Sequence, residues 1–185
     1  MAQPPPAVSA QAEPLAPPAK PARTSYRRNL PHIQAEGKTF FVAFATYKRW
    51  QLPPSVRGIV LEHCLDDHGT KLIVHGVVVM PDHVHMVFMP LTDEAGDFFG
   101  LAEIMSAIKG ASAHCVNKLL RRRGHVWQDE SLDHILRSNE NVRNKVEYIC
   151  DNPVRKGLVE AVEDYPWLWR EWVEGRDTAE GGCAT

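Results

Sequence analysis

The stretch "VVVMPDHVHMVFMP", Val77–Pro90, predicts two β-strands joined by a tight turn. Successive side chains of a strand alternate between its faces, so the apolar residues at every second position after the turn share the core-facing side. His83 and His85 then project together from the other face. Two neutral imidazoles placed this way present nitrogen atoms to one point, which suits a divalent metal ion. The same pattern is also typical of two surface histidines on a hairpin, and the strand alone leaves both interpretations open.

The sequence on both sides of this hairpin predicts an α+β fold. Alternating or continuous apolar runs indicate strands, whereas apolar residues three and four apart, bounded by Pro and Gly, indicate helices. Strands are predicted over 38–47, 71–80, 83–90 and 131–137, and helices over 53–67, 99–124 and 139–153. The order is βαββαβ followed by one more helix, which matches a ferredoxin-like antiparallel sheet with one face covered by helices.

The last predicted helix carries a tyrosine on its polar side. Its apolar stripe consists of Val142, Val146, Ile149 and Cys150. At 100° per residue, Tyr148 lies roughly 145° from the middle of that stripe, beside Lys145 and one turn before Asn152. An aromatic residue on a helix usually belongs to the core, but this one lies on the wrong face for that. A hydroxyl and an amide oxygen at one helix end would complete a site whose other members are His83 and His85.

Composition and cysteine usage predict an ordinary soluble domain. The chain has 185 residues, of which 44% are hydrophobic and 24% charged. The four cysteines, at 64, 115, 150 and 183, form no Cys-x-x-Cys pair, so we expect reduced thiols in a cytoplasmic protein. No apolar run approaches the roughly 20 residues that cross a bilayer, and the N-terminus lacks a secretory pattern. We predict a disordered Pro/Ala-rich extension over 1–23, one domain over 24–173 and a flexible tail over 174–185.

The charge distribution is uneven. The formal net charge is -2, but residues 20–158 carry 19 Lys and Arg against 15 Asp and Glu, whereas residues 159–185 carry 2 against 7. The segment Lys109–Arg123 contains five basic residues and no acidic one. Such a run is compatible with a nucleic-acid partner, and it is also typical of a solvated helix face.

Taken together, these stretches resemble the REP-associated tyrosine transposases, a branch of the HUH (His-hydrophobic-His) single-strand endonucleases related to insertion-sequence transposases. The resemblance runs in order from "RRNLPH" (Arg27–His32) through "VVMPDHVHMV", "IMSAIKG", "RRRGHVWQDESLDHILR" and "VEYICDNPVRKGLV" to "EDYPW" (Glu163–Trp167). It covers nearly the whole predicted domain. The Pro/Ala-rich extension and the "LWREW" around the end of the domain depart from the family pattern, which puts accessory DNA contacts in doubt.

The resemblance implies a chemistry for the site. A metal ion, Mg²⁺ or Mn²⁺, would be held by His83, His85 and Asn152, and Tyr148 would be the nucleophile. The implied substrate is single-stranded DNA beside a hairpin, and the implied intermediate is a 5′-phosphotyrosine. We expect a monomer or a homodimer, and no membrane partner. A phenol is a weak nucleophile unless it is activated, and a polarised phosphate with Lys145 nearby lessens that difficulty.

Further residues are candidates for DNA contact, each with a structural alternative. The candidates are Arg27, Arg28, Lys109, Gly110, Arg121, Arg122, Arg123 and Lys145. Gly110 would let the backbone approach DNA, or it merely weakens its helix, and Trp127 would stack on a base, or it is buried. Two other functions stay open: a domesticated hairpin-DNA binder that does not cleave, and a metal-dependent hydrolase of small phosphodiesters that does not use Tyr148.

Overall fold

The computed structural model describes residues 37–137 and 140–172. The centre of the fold is a five-stranded antiparallel sheet. The strands are β1 (Phe40–Thr46), β2 (Leu72–Val79), β3 (His83–Pro90), β4 (Trp127–Ile135) and β5 (Leu168–Arg170). The helices are α1 (Pro54–Leu65), α2 (Leu101–Leu119), α3 (Val142–Cys150) and α4 (Asn152–Arg155). The strand order across the sheet is β4-β1-β3-β2-β5.

The first four strands and first two helices follow the predicted βαββαβ order. Because α1 connects β1 to β2 and α2 connects β3 to β4, β1 and β3 become the central strands, as in a ferredoxin-like sheet. The α+β prediction is therefore confirmed. The short strand β5 was not anticipated; it extends the sheet beyond β2, where Val77 pairs with Trp169.

The first face of the sheet carries the main core. Val84, Met86 and Phe88 are fully buried there, as their alternation along β3 predicted. Apolar residues of α1 and α2, among them Val60 and Ile104, pack against them in the same cluster. Pairing of β3 with β1 on one side and β2 on the other fixes its register at the centre of the sheet.

The second face is covered too, which corrects the prediction of a sheet with one covered face. Val87 of β3 and Val78 of β2 are fully buried on that side, against Val146 and Ile149 of α3. The apolar stripe of the last helix was predicted correctly, but the surface that receives it was not. The physical reason is that β2 and β3 carry valines on both faces, so each face must bury apolar area.

The tyrosine helix has a side-chain cap at its N-terminus and ends earlier than predicted. Asn141 caps the N-terminus of α3, because its side-chain oxygen accepts hydrogen bonds from the backbone N–H groups of Arg143 at 2.8 Å and Asn144 at 3.3 Å. The helix was expected to end at Asn152-Pro153, but it ends at Cys150, and Pro153 lies in the first turn of α4. Proline is tolerated there because the first N–H groups of a helix have no intrahelical partner.

Two other boundaries differ from the predictions. β4 begins at Trp127 rather than Ser131, because Trp127 pairs with Thr46 across a register shift in β1. α2 ends at Leu119, before the arginine run, and Arg121 has a positive φ of 49°. The predicted extension over 1–23 and tail over 174–185, together with Arg27 and Arg28, lie outside the described residues. In the described part of the chain, no helix is both long and apolar enough to span a bilayer.

A glycine in β2 lets the tyrosine helix approach the sheet. A Cβ atom added at Gly76 would lie 2.5 Å from Cγ1 of Val146, a stiff and fully buried side chain of α3. We therefore expect Gly76→Ala to lower the free energy of unfolding by about 1–3 kcal/mol, as overpacking of a core does. Urea denaturation followed by circular dichroism measures the change.

Gly110→Ala is the matched control for this prediction. A Cβ atom at Gly110 meets no atom within 4 Å, and the residue lies inside α2. The substitution should therefore raise stability by about 0.5–1 kcal/mol, because alanine loses less backbone freedom than glycine. The loss of unfolding free energy caused by Gly76→Ala should also be smaller in a protein that carries Val146→Ala. Equal effects of both glycine substitutions would contradict the proposed close approach of α3 to β2.

Candidate active site

His83 and His85 converge at the start of β3. Their Nε2 atoms lie 3.1 Å apart and their ring centroids 4.7 Å apart, with the rings nearly perpendicular. On β1 the residues directly opposite are Ala45 and Ala43, whose short side chains leave room for the two rings. The predicted shared face is therefore present, although it is the face that also receives α3, so the histidines are half-buried rather than solvent-facing.

A carboxylate orients the first histidine. Nδ1 of His83 lies 2.6 Å from Oδ1 of Asp82, and Oδ2 of Asp82 lies 3.4 Å from the guanidinium of Arg49. Burial raises the pKa of Asp82, but its hydrogen bond to His83 and the charges of His83 and Arg49 lower that pKa overall. When His83 is neutral, an ionised Asp82 favours the tautomer with the proton on Nδ1, and that tautomer leaves the Nε2 lone pair directed at His85.

The second histidine is held in its neutral form. Burial lowers the pKa of His85 to about 4, and the positive charges of His83, Lys145, Arg155 and Arg49 act in the same direction. Its ring stacks on Phe41 of β1 at a centroid distance of 5.7 Å. Nδ1 of His85 is buried and has no hydrogen-bond partner within the described residues. A neutral imidazole at pH 7 is the form that binds a metal ion.

Tyr148 is presented to solvent at the C-terminal end of α3. Its side chain is 55% exposed, whereas the neighbouring Ile149 and Cys150 are buried, so its predicted place outside the apolar stripe is confirmed. Two cations flank the ring: the guanidinium carbon of Arg155 lies 4.2 Å from the ring centroid and Nζ of Lys145 lies 5.5 Å from it. The tyrosine ring is thus next to two positively charged side chains.

Arg155 also holds the expected oxygen ligand. One guanidinium nitrogen of Arg155 donates to Oδ1 of Asn152 and to the carbonyl of Tyr148, each at 2.6 Å. An amide oxygen has two lone pairs, so this bond leaves one of them for a metal ion. Nδ2 of Asn152 is buried without a partner in the part of the chain that the structure describes. Arg155 was not predicted, although its place three residues after Asn152 puts it on the same helix face.

Lys145 and Phe41 connect the histidine pair with the tyrosine helix. Nζ of Lys145 lies 4.2 Å from the ring centroid of Phe41, and that ring is the one that stacks on His85. Lys145 thus contacts both the tyrosine and the aromatic neighbour of the histidine. The sequence placed Lys145 beside Tyr148, but it did not indicate that Phe41 lies between α3 and His85, because that contact joins residues distant along the chain.

The histidine pair has the spacing of two ligands of one metal ion. Two nitrogens that each lie about 2.1 Å from an ion and subtend a right angle are roughly 3 Å apart, close to the 3.1 Å observed here. Across residues 37–137 and 140–172, no three His, Cys, Asp or Glu side chains gather at one point. Asp82 lies on the Nδ1 side of His83, away from the converging nitrogens.

The basic residues predicted to contact DNA differ in how the fold uses them. Lys109 donates to the carbonyls of Gln128 at 2.6 Å and Asp129 at 3.1 Å, so its ammonium supports the start of β4. Burial lowers the pKa of Lys109. Gly110 is exposed, and no close contact in the fold requires a glycine there. Trp127 is buried and donates to Ser112 at 3.0 Å, which confirms its structural alternative.

The arginine run projects from the loop after α2. Arg121 and Arg123 are exposed. Arg122 instead packs its guanidinium 3.9 Å from the ring centroid of Trp50 and donates to the carbonyl of His125 at 3.1 Å. Arg121 and Arg123 can therefore be replaced to test the role of charge in DNA binding, whereas replacing Arg122 would also remove packing that supports the fold.

Comparisons with known proteins show which family the chain is similar to. Residues 46–152, more than half of the chain, match the family described as Transposase IS200 like, and this range contains His83, His85, Tyr148 and Asn152. The chain is 30% identical over 95 residues to the REP-associated tyrosine transposase of Escherichia coli (strain K12), covering 51% of this chain and 52% of that protein. It is 25% identical over 96 residues to a provisionally named REP-associated tyrosine transposase of Haemophilus influenzae, covering 49% and 54%.

The chain thus spans about half the length of the curated relatives it matches. A solved structure of a REP-associated tyrosine transposase bound to a REP hairpin superposes with a TM-score of 0.54 at 24% identity, covering 71% of this chain and 75% of that chain. At this identity the likeness establishes a shared fold. Because the family match includes more than half of the sequence and spans both the histidine pair and the tyrosine helix, the chain belongs to the IS200-like transposase family.

Proposed function

We propose that this protein is a metal-dependent single-stranded DNA endonuclease and strand transferase that acts beside DNA hairpins and uses Tyr148 as its nucleophile. The observation that carries the proposal is the convergence of two imidazole nitrogens, 3.1 Å apart, next to a helix that exposes a tyrosine between two cations. The curated relatives bear the name REP-associated tyrosine transposase, and the solved structure with the same fold is bound to a REP hairpin. We extend that class of substrate to this chain.

The donor set suits Mg²⁺ or Mn²⁺. His83, His85 and Oδ1 of Asn152 would hold the ion, which when bound polarises the scissile phosphate and offsets its charge. Two imidazoles favour Mn²⁺ over Mg²⁺ for tight binding, because Mg²⁺ prefers oxygen ligands. The protein's own contribution is orientation: Asp82 fixes His83 at 2.6 Å and Arg155 fixes Asn152 at 2.6 Å.

The proposed reaction is a transesterification. The phenol oxygen of Tyr148 forms a bond to phosphorus and releases its proton, while the bond from phosphorus to the 3′ oxygen breaks and that oxygen leaves as a hydroxyl. The products are a 5′-phosphotyrosine and a free 3′-hydroxyl, so the phosphoester bond is conserved and rejoining requires no ATP. Lys145 and Arg155 lie beside the ring of Tyr148 and add positive charge next to the phosphate under attack.

Covalent adduct formation tests this proposal directly. The full chain is incubated with a labelled stem-loop DNA that carries single-stranded flanks, with Mn²⁺ or with EDTA, and the products are resolved under denaturing conditions. We expect a protein–DNA adduct and a free 3′-hydroxyl product only with the metal. A non-cleaving hairpin binder would give a complex that disappears on denaturation, and a small-phosphodiester hydrolase would show no preference for hairpin DNA.

The exposed arginines should contribute charge to DNA binding. Replacing Arg121 and Arg123 with Gln should weaken binding to all DNA sequences and flatten the plot of log affinity against log salt concentration by about 0.7 per lost phosphate contact on a single strand. Arg122 is retained in this variant because it packs on Trp50 and supports the loop. Fluorescence anisotropy at several salt concentrations measures the slope.

Arg137→Gln serves as the charge control, because this residue is exposed beyond the opposite end of β4. It should leave the slope unchanged. An unchanged slope in the Arg121 and Arg123 variant would mean that these residues are only a solvated surface.

A further inference from the structure

The loop after β1 has an unusual backbone conformation. Lys48 and Arg49 are consecutive non-glycine residues with φ of 53° and 56°. Non-glycine residues rarely adopt this left-handed region, and they keep it only where the surrounding structure holds them, often at functional sites. The loop is therefore shaped by its surroundings rather than by its own residue preferences.

Hydrogen bonds from three directions hold this loop. Oγ1 of Thr46 donates to the carbonyl of Trp50 at 2.6 Å, which closes the loop on itself. The backbone N–H of Tyr47 donates to the carbonyl of Val126 at 2.7 Å, and that of Thr46 donates to the carbonyl of Asp82 at 2.9 Å. The loop is thus fixed both to the start of β4 and to the turn that carries the first histidine.

An exposed aromatic pair lies on top of this loop. Tyr47 is 44% exposed, and its ring centroid lies 5.3 Å from that of His125 with the rings inclined by 33°. Nζ of Lys48 lies 5.4 Å from the tyrosine ring. Arg122 packs on Trp50 and donates to the carbonyl of His125, which ties His125 to the residue that ends the loop. A large exposed ring held by a fixed loop and flanked by cations is a surface that suits a nucleic-acid base.

The aromatic pair is connected to the histidine site through Arg49. Its guanidinium, 62% exposed, lies 3.4 Å from the same Asp82 carboxylate that binds His83. Arg49 thus has one edge directed at Asp82 and the rest open to solvent. A strand whose phosphate lies at the histidine pair would have Arg49 close to it, and Lys48 and Tyr47 precede Arg49 in the same loop.

We infer that Tyr47, with His125 beside it, is a stacking site for an unpaired base of the single-stranded DNA that flanks the cleaved phosphate, and that Lys48 and Arg49 hold the adjoining backbone. This inference rests on the proposed function and names the part of the substrate that the surface binds. The flank is the occupant, rather than the interior of the hairpin stem, because a paired base inside a stem has both of its faces covered by neighbouring bases. Stacking of this kind tolerates any base sequence.

Paired DNA probes test the inference. One probe is a stem-loop with four-nucleotide single-stranded flanks on both ends, and the other is the same stem-loop with blunt ends. Binding is measured with Mn²⁺ in full-length protein carrying Tyr148→Phe, so that no cleavage intervenes. Adding Tyr47→Ala should weaken binding of the flanked probe by roughly 5- to 100-fold and leave the blunt probe unchanged.

Tyr47→Phe is the matched control, since it keeps the ring and should retain the affinity for the flanked probe. A fluorescent 2-aminopurine in the flank should be quenched by the parent and by Tyr47→Phe but not by Tyr47→Ala. Equal losses on both probes, or no loss on either, would overturn the inference. If the parent binds neither probe, the proposed function itself fails, whereas binding that ignores Tyr47→Ala overturns only the stacking site.

Discussion

Tyr148→Phe is expected to abolish both DNA cleavage and the covalent adduct while leaving the fold intact. The substitution removes one oxygen atom from a side chain that is 55% exposed, and it leaves the buried stripe of α3 untouched. The ring stays between Arg155 and Lys145, so the local packing persists. Binding of hairpin DNA and of Mn²⁺ should also persist, because neither is assigned to the phenol. Cleavage should disappear because the phenol oxygen is the proposed attacking atom.

Tyr165→Phe is a control that removes the same atom elsewhere. The Tyr165 hydroxyl is buried and donates to the carbonyl of Val79 at 2.8 Å. Its loss leaves a buried carbonyl without this partner, so stability should fall by about 1 kcal/mol or more while adduct formation continues. Tyr148→Phe should thus lose activity and keep its stability, whereas Tyr165→Phe should lose stability and keep its activity. A Tyr148→Phe protein that still cuts, or a parent adduct that maps to another residue, would contradict the mechanism.

Local periodicity was sufficient to predict the elements that carry the site. The alternation along β3 separated the core residues Val84, Met86 and Phe88 from the two histidines. The helical period around Tyr148 separated its exposed ring from the buried Ile149 and Cys150. These predictions succeeded because the repeat of a strand or helix determines which side chains share a face, whatever the rest of the chain does.

Long-range contacts could not be obtained in this way. The sequence predicted the apolar stripe of α3 but not its partner, since the stripe would fit any apolar surface. The structure places it against Val78 and Val87, on the sheet face expected to be free. The link from Lys145 through Phe41 to His85 likewise joins three separate elements. A periodicity argument relates residues within one element and contains no information about which elements meet.

The supporting residues of the candidate site were missed for a related reason. Asp82 and Arg155 lie near predicted site residues: Asp82 is in the turn before His83, and Arg155 is in α4, three residues after Asn152. A charged residue usually faces solvent, so neither carried a signal of its own. A search for hydrogen-bonding residues within three positions of each predicted ligand would have found both, because Asp82 binds His83 and Arg155 binds Asn152.

His83→Ala and His85→Ala should each lower the rate of Mn²⁺-supported cleavage by at least about 100-fold. Removing a proposed metal ligand should reduce activity more than removing the residue that orients it, which typically costs about 10- to 100-fold. The two variants should differ in stability. The side chain of His83 is 20% exposed and contacts Asp82 and His85, whereas the ring of His85 also stacks on Phe41, so His85→Ala should be the more destabilising. Thermal unfolding in EDTA measures this difference without the metal, and cleavage of labelled hairpin DNA over a range of Mn²⁺ concentrations measures activity.

Asp82→Asn distinguishes a ligand from the residue that orients it. Asparagine keeps the size of Asp82 but loses the charge that holds the proton of His83 on Nδ1. The Mn²⁺ concentration that gives half-maximal cleavage should therefore rise by about 10- to 100-fold. A high Mn²⁺ concentration should restore the rate of Asp82→Asn, but it should not restore the rate of His83→Ala or His85→Ala. His134→Ala, which removes an exposed histidine paired with Glu140, should leave both quantities at the parent values. Parent-level cleavage by either His83→Ala or His85→Ala would show that the metal is held elsewhere, since the two Nε2 atoms that converge here would then be dispensable.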